Sequence, residues 1–133
     1  MNRRFGFGKK ERLKSRRQIE ELFLTGRRFV QFPLRIIYLI ERAEEGEIKV
    51  GVAASKRNFK KAVARNRVKR LIRESYRLQK QSLLEQTKAK KLRLLIFFMY
   101  SGNTMPAYVE VSEAMFKALA RLEKEIRSHE DPS

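Results

Sequence analysis

Apolar side chains recur along this chain with two periods, and the changes of period mark out the elements. In residues 15–25 the apolar positions Ile19, Leu22 and Phe23 follow i, i+3, i+4 spacing, which predicts a short amphipathic helix. Ser15 is suited to cap its start, with Gln18 placed for a capping box, and Gly26 is suited to end it. The period then falls to two. Residues 29–40 are expected to contain a strand that opens near Pro33, where no ladder N–H is required. From there Leu34, Ile36, Tyr38 and Ile40 alternate with Arg35, Ile37 and Leu39. Both sets are largely apolar, so both faces are expected to be covered. Ile48, Val50, Val52 and Ala54 alternate next against Lys49, Gly51, Ala53 and Ser55. The charged turn at residues 41–47 joins the two runs, and an antiparallel hairpin is predicted. Gly51 and Ala53 leave one face small, which suits close packing of a helix.

The helical period returns in residues 56–76, KRNFKKAVARNRVKRLIRESY, and the rest of the chain is organised around this stretch. At roughly 100° per residue, Ala64, Val68, Leu71, Ile72, Ser75 and Leu78 share a core-facing stripe. Asn66, Lys69, Arg70, Arg73 and Arg77 share the opposite side. Residues 79–91 are polar and are expected to prolong the helix by a turn or two before becoming a loop. Residues 92–100, LRLLIFFMY, are almost continuously apolar, as a central strand covered on both faces would be. A last amphipathic helix is predicted over residues 109–127, with Val111, Met115, Ala118, Leu122 and Ile126 on one stripe and Phe116 and Leu119 beside it. The order αββαβα predicts an α+β fold: an α/β sandwich with helices against a small mixed sheet. Residues 1–133 are read as a single domain, with a mobile basic arm (1–12, carrying Phe5 and Phe7) and a polar tail (129–133).

Charge changes the picture. The 133 residues carry a formal net charge of +17 and a pI near 10.7, which attracts polyanions. The cationic ridge works against its own helix, since like charges one turn apart destabilise by a few tenths of a kcal/mol per pair, roughly. Only Glu74 lies among these charges, so a polyanion along the ridge would supply the missing counter-charge. There are no cysteines, which excludes disulfides and cysteine-based zinc sites. The longest apolar run, residues 94–99, is too short to span a bilayer, and a soluble, cytoplasmic protein is expected. The single histidine, His129, sits in the tail as an exposed residue, and no spacing of acids suggests a metal pair or a carboxylate dyad. Charge alone leaves several classes open: an RNA-binding protein such as a ribosomal protein, a DNA-binding module that lays residues 65–77 in a major groove, and a self-sufficient nuclease.

Residue identities narrow that choice. The run Ala62-Val63-Ala64-Arg65-Asn66-Arg67-Val68-Lys69-Arg70-Leu71-Ile72-Arg73-Glu74, preceded by Val50-Gly51-Val52-Ala53-Ala54-Ser55-Lys56-Arg57, resembles the signature of the protein subunit of bacterial ribonuclease P. The resemblance implies a sandwich with a left-handed crossover around the arginine-rich helix, as in the second domain of ribosomal protein S5. It also implies two RNA partners, the catalytic ribonuclease P RNA and precursor tRNA, with neither a membrane nor an obligate protein partner. The RNA would cleave off the 5′ leader with Mg²⁺, held mainly by that RNA. Carried over by residue, Lys56, Arg57, Lys60, Lys61, Arg65, Asn66, Arg67, Lys69, Arg70 and Arg73 would contact the catalytic RNA. Asn66, an amide among cations, is also the candidate for meeting an RNA-bound metal. Phe23, with Ile19, Ile37 and Tyr38, would form the leader cleft between the first helix and the sheet. The chain departs from the family pattern at Ile19, where an aromatic is frequent, and at Asn58-Phe59-Lys60-Lys61, where many members carry glycine.

Overall fold

The computed structural model describes residues 11–129. Its elements run α1 (Arg16–Thr25), β1 (Arg27–Gln31), β2 (Leu34–Arg42), β3 (Glu47–Ala54), α2 (Ala62–Gln79), α3 (Gln81–Ala89), β4 (Leu92–Tyr100) and α4 (Tyr108–Ser128). The four strands form one mixed sheet in the order β1-β2-β4-β3. The α+β class, the mixed sheet and the central place of β4 are as expected. Three features of the connectivity are not.

The expected hairpin of β2 and β3 does not form, because β4 lies between them. β2 pairs antiparallel with β4 along its whole length, from Leu34↔Tyr100 to Arg42↔Leu92. β3 pairs parallel with β4, from Glu47↔Arg93 to Ala54↔Tyr100. A strand apolar on both faces is most stable with a neighbour on each edge and helices above and below, and β4 takes that position. Arg93, its one charged residue, is half-buried on the edge of the acidic turn, where it bridges Glu47 and Glu41.

The stretch expected to hold one strand holds two. Phe32 and Pro33 make the turn between β1 and β2, which pair from Arg27↔Tyr38 to Gln31↔Leu34. Residues 81–89 form α3 rather than a loop, and Leu83 and Thr87 are buried on its inner side. Gln79 ties the end of α2 to α4 by donating to the Ser112 carbonyl at 3.1 Å. Lys90 closes the far end of α4, its ammonium donating to the Ile126 and Arg127 carbonyls at 2.9 and 2.7 Å, where a helix leaves carbonyls unpaired. His129 also belongs to this closure: it is half-buried, and its carbonyl accepts from Lys90 at 3.3 Å. It is therefore not the free tail residue expected. The rest of the tail and most of the basic arm lie outside the described residues.

α1 is capped as expected at its start, where Ser15 Oγ accepts from the Gln18 N–H at 3.3 Å. Gly26 ends it, as expected, and does so without a left-handed turn. Its backbone is extended, with φ at −69°, and a side chain there would meet the Leu22 carbonyl at 2.4 Å.

The main core lies on one face of the sheet, under α2 and α4. Ile36, Tyr38, Val50, Ile96 and Phe98 meet Val68, Ile72 and Tyr76 from α2, and Met115 and Leu122 from α4. Two residues assigned to helix stripes stand outside it: Leu78 is 55% exposed and Phe116 is 68% exposed. Tyr76 takes the place expected of Leu78, packed 6.0 Å from the Phe98 ring.

Candidate nucleic-acid interface

α2 begins with no acid in its first turn, and Lys61 at its N-cap makes no side-chain cap. Its positive dipole end therefore adds to Lys60 and Lys61 instead of being neutralised. Along the helix Asn66, Arg67 and Arg70 are exposed, while Lys69 and Arg73 are half-buried. Asn66, Lys69, Arg70 and Arg73 lie on one side by spacing. Arg67 stands on a flank with Val63 and Glu74, at i−4 and i+7. Arg77 ends the ridge with its charge already answered, because Glu74 takes it in an ion pair. That pairing holds the Glu74 carboxyl below its usual range, chiefly through the hydrogen bond from Arg77.

Between β3 and α2 runs the basic loop, and its conformation follows from one apolar residue. Phe59 is buried, with its ring 5.8 Å from that of Tyr100. The Asn58 amide donates to the Gly102 carbonyl at 3.0 Å, and the Phe59 N–H donates to the Ser55 carbonyl at 2.9 Å. Arg65 reaches back from the first turn of α2 to donate to the Phe59 and Lys60 carbonyls at 2.8 and 2.9 Å. Arg65 therefore holds the loop as well as carrying charge. Lys56, Arg57, Lys60 and Lys61 are left exposed around this anchor. The acidic turn stands at the other end of β3, on the order of 25 Å away at about 3.3 Å per residue.

The second face of the sheet is only partly covered. α1 buries Leu22 against Ile37 and Leu95, with Leu13 beside them. Ile19, Phe23, Phe97 and Met99 are left half-buried around that cluster. The Phe23 and Phe97 rings meet edge to face at 5.2 Å, and the Arg28 guanidinium lies 5.9 Å from the centre of the Phe23 ring. Phe97 lies across Gly51, so close that a side chain at position 51 would meet the ring at 2.6 Å. The small face of β3 thus receives a ring from the neighbouring strand and not the helix expected there. Beyond it, Ala53, Met99, exposed Arg35 and exposed Val30 continue the strip across the sheet by register.

The leader-cleft residues are therefore divided. Ile19, Phe23 and Ile37 come together under α1, with Ile37 forming the floor. Tyr38 does not join them. Successive strand residues face opposite sides, and Tyr38 packs into the main core, 5.9 Å from Phe29. Phe97 and Met99 pack against the same cluster, Gly51 lies under the Phe97 ring, and all three were missed. Their signal was present in the register of β4 against β2 and β3, which periodicity alone does not supply. Among the described residues no group of three or more His, Cys, Asp or Glu could hold a metal ion. Nor is any helix among them long and apolar enough to cross a membrane.

Three comparisons bear on this arrangement. Residues 7–123 match the family model described as Ribonuclease P. The ribonuclease P protein component of Porphyromonas gingivalis is 40% identical over 121 residues, covering 89% of this chain and 87% of that protein. Among solved structures, the Staphylococcus aureus RNase P protein has a TM-score of 0.64 at 17% identity, covering 86% of this chain and 95% of its own. The Thermotoga maritima RNase P protein has a TM-score of 0.62 at 20% identity, covering 84% and 96%. These two structures share the fold. With the family model spanning nearly the whole chain and the arginine-rich helix set on that fold, the chain belongs to the ribonuclease P protein family.

Proposed function

We propose that this ribonuclease P protein lays the loop and ridge of α2 on the catalytic RNA and takes the 5′ leader of precursor tRNA in the cleft beside α1. As a member of the family it is the RNA-binding, accessory subunit of a ribonucleoprotein endoribonuclease, and the cleavage belongs to the RNA. What most supports the assignment of surfaces is adjacency. The helix that leaves Asn66, Arg67 and Arg70 exposed also brings Arg73 to a notch shared with Gly51 and Phe97 of the half-covered sheet face. Arginine suits the first surface because its planar fork matches phosphate and its charge persists in any surroundings. Phe23 and Phe97 suit the second, since unpaired bases stack on aromatic faces.

Asn66 adds a neutral amide within the ridge, able to bond RNA or a water on an RNA-bound ion. Mg²⁺ is assigned to RNA phosphates, where it would activate the attacking water. The reading places this work in the bacterial cytoplasm, on newly made precursor tRNA. Reconstitution tests it: precursor tRNA should be cut at the 5′ end of the mature sequence only when the cognate RNA and Mg²⁺ accompany the protein. Cleavage by rigorously RNA-free protein would overturn the assignment.

A further inference from the structure

The link from α1 to β1 places a cation beside the Phe23 ring. α1 carries no basic residue in its last turn, so its closing carbonyls need donors from elsewhere. Arg28, the second residue of β1, reaches back, and its Nη2 donates to the Phe23 carbonyl at 2.7 Å. The same guanidinium stands 5.9 Å from the centre of the Phe23 ring. That is the outer limit of a cation–π contact, and well beyond the roughly 3.5–4.0 Å of touching carbon atoms. Arg28 is therefore set beside the ring without sealing it, and it stays exposed.

Register brings a second cation to the same place. Arg28 pairs with Ile37, and Val30 pairs with Arg35. Ile37 lies in the cluster under α1, so Arg35, two residues before it, faces the same side of the sheet. On its other edge Arg35 pairs with Met99, which packs against that cluster. Arg28 and Arg35 are thus diagonal neighbours, a relation that sets residues on the order of 7–8 Å apart. Arg35 is exposed, and Val30 between them is 61% exposed. Closing the end of α1 occupies one amino group of Arg28, and it accounts for neither Arg35 nor the open Val30. Proteins that hold single strands join a ring for the base to cations that track the backbone. Here the ring is Phe23, and the diagonal leads from it over β1 and β2, the two strands farthest from β3.

We propose that Arg28 and Arg35 each bind a backbone phosphate of the leader beyond the base seated on Phe23, so that the leader leaves the cleft over β1 and β2 toward their turn. The proposal rests on the cleft being the seat of the leader. Arg28 keeps Nη2 on the Phe23 carbonyl and offers the other edge of its guanidinium to phosphate, a two-sided use that the planar fork of arginine allows.

The measurement is binding of two precursor tRNAs to the reconstituted holoenzyme across a range of salt, one with a leader of a single nucleotide and one with a leader of several. With the longer leader, Arg28→Gln and Arg35→Gln should each weaken binding and lower the log–log salt slope by roughly 0.7, the value for one lost single-strand phosphate contact, and the double change should lower it by about 1.4. With the single-nucleotide leader all three variants should bind as the parent does. A role confined to closing α1 would lower the melting temperature of Arg28→Gln and leave the dependence on leader length untouched. If Arg28→Gln unfolds the chain, Arg35→Gln, on an exposed residue of β2, carries the test. An unchanged slope for either single variant with the fold intact, or equal weakening of the two precursors, overturns the proposal. Phe23→Ala tells this failure from that of the cleft reading: if it spares the longer leader the cleft is not the seat, whereas if it weakens the longer leader and the glutamine variants do not, only the phosphate path is lost.

Discussion

Phe97 and Phe98 are neighbours in β4, yet one faces α1 and the other faces α2 and α4. Phe98 is fully buried within the large cluster that both long helices close. Phe97 is half-buried, edge-on to Phe23, at the border of a small cluster built on Leu13, Leu22, Ile37 and Leu95. α1 has 10 residues and covers only part of a four-stranded sheet. Leaving apolar surface in water forgoes about 25 cal/mol per Å². A strip of half-buried apolar side chains of this kind suits a surface that takes an occupant. The sheet thus divides its work by face: one holds the fold together, and the other is left partly open, the face on which the proposed function seats RNA.

The sharpest way to break that comparison is to shorten the two neighbouring rings. Phe98→Ala should destabilise by about 3–5 kcal/mol, read from denaturant unfolding. Phe97→Ala should cost distinctly less stability and should instead weaken leader-bearing RNA by about 1–3 kcal/mol. Equal losses of stability would mean that both faces are core. Gly51→Ala is a smaller perturbation of the open face. Its new methyl group would meet the Phe97 ring at 2.6 Å, so the ring must move. A stability loss of about 1–3 kcal/mol is expected from overpacking, accompanied by weaker leader binding. If the methyl is absorbed with leader binding intact, Phe97 is not a platform. Smallest of all is Arg35→Gln, an exposed cation on the same strip. Unfolding should stay within about 0.5 kcal/mol of the parent. The salt slope for leader-bearing RNA should fall by roughly 0.7, and no change in slope would confine the RNA path to the α2 side of the strip.

Much of this arrangement was legible in the sequence, but unevenly. Period and capping located α1, β3, β4 and α4, because Ser15, Gly26 and the alternation from Ile48 onwards act locally. Pairing was not legible in that way. Alternation says which residues share a face, and nothing in it says that β4 would enter between β2 and β3. The doubly apolar face of β4 was the available clue, since a strand of that kind needs neighbours on both edges. The same limit explains Tyr38 and Phe97. Tyr38 was assigned to the cleft although its alternation with Ile37 already sent it to the other face, whereas Phe97 required the β4 register. In the basic loop, Phe59 looked like one apolar residue among cations. Its burial against Tyr100 and the return of Arg65 to its carbonyl are long-range events that local pattern does not carry.

The division between the two faces is tested most directly at Phe23, which sits on α1 with its ring against Phe97. The measurement is the affinity of the reconstituted Phe23→Ala holoenzyme for precursor tRNA with a leader of several nucleotides, beside its affinity for mature tRNA. If the open face seats the leader, leader-bearing RNA should weaken by about 1–3 kcal/mol while mature tRNA is hardly affected and the melting temperature falls only modestly. Equal weakening of the two RNAs, or a large fall in melting temperature, would make Phe23 a core residue and contradict the account.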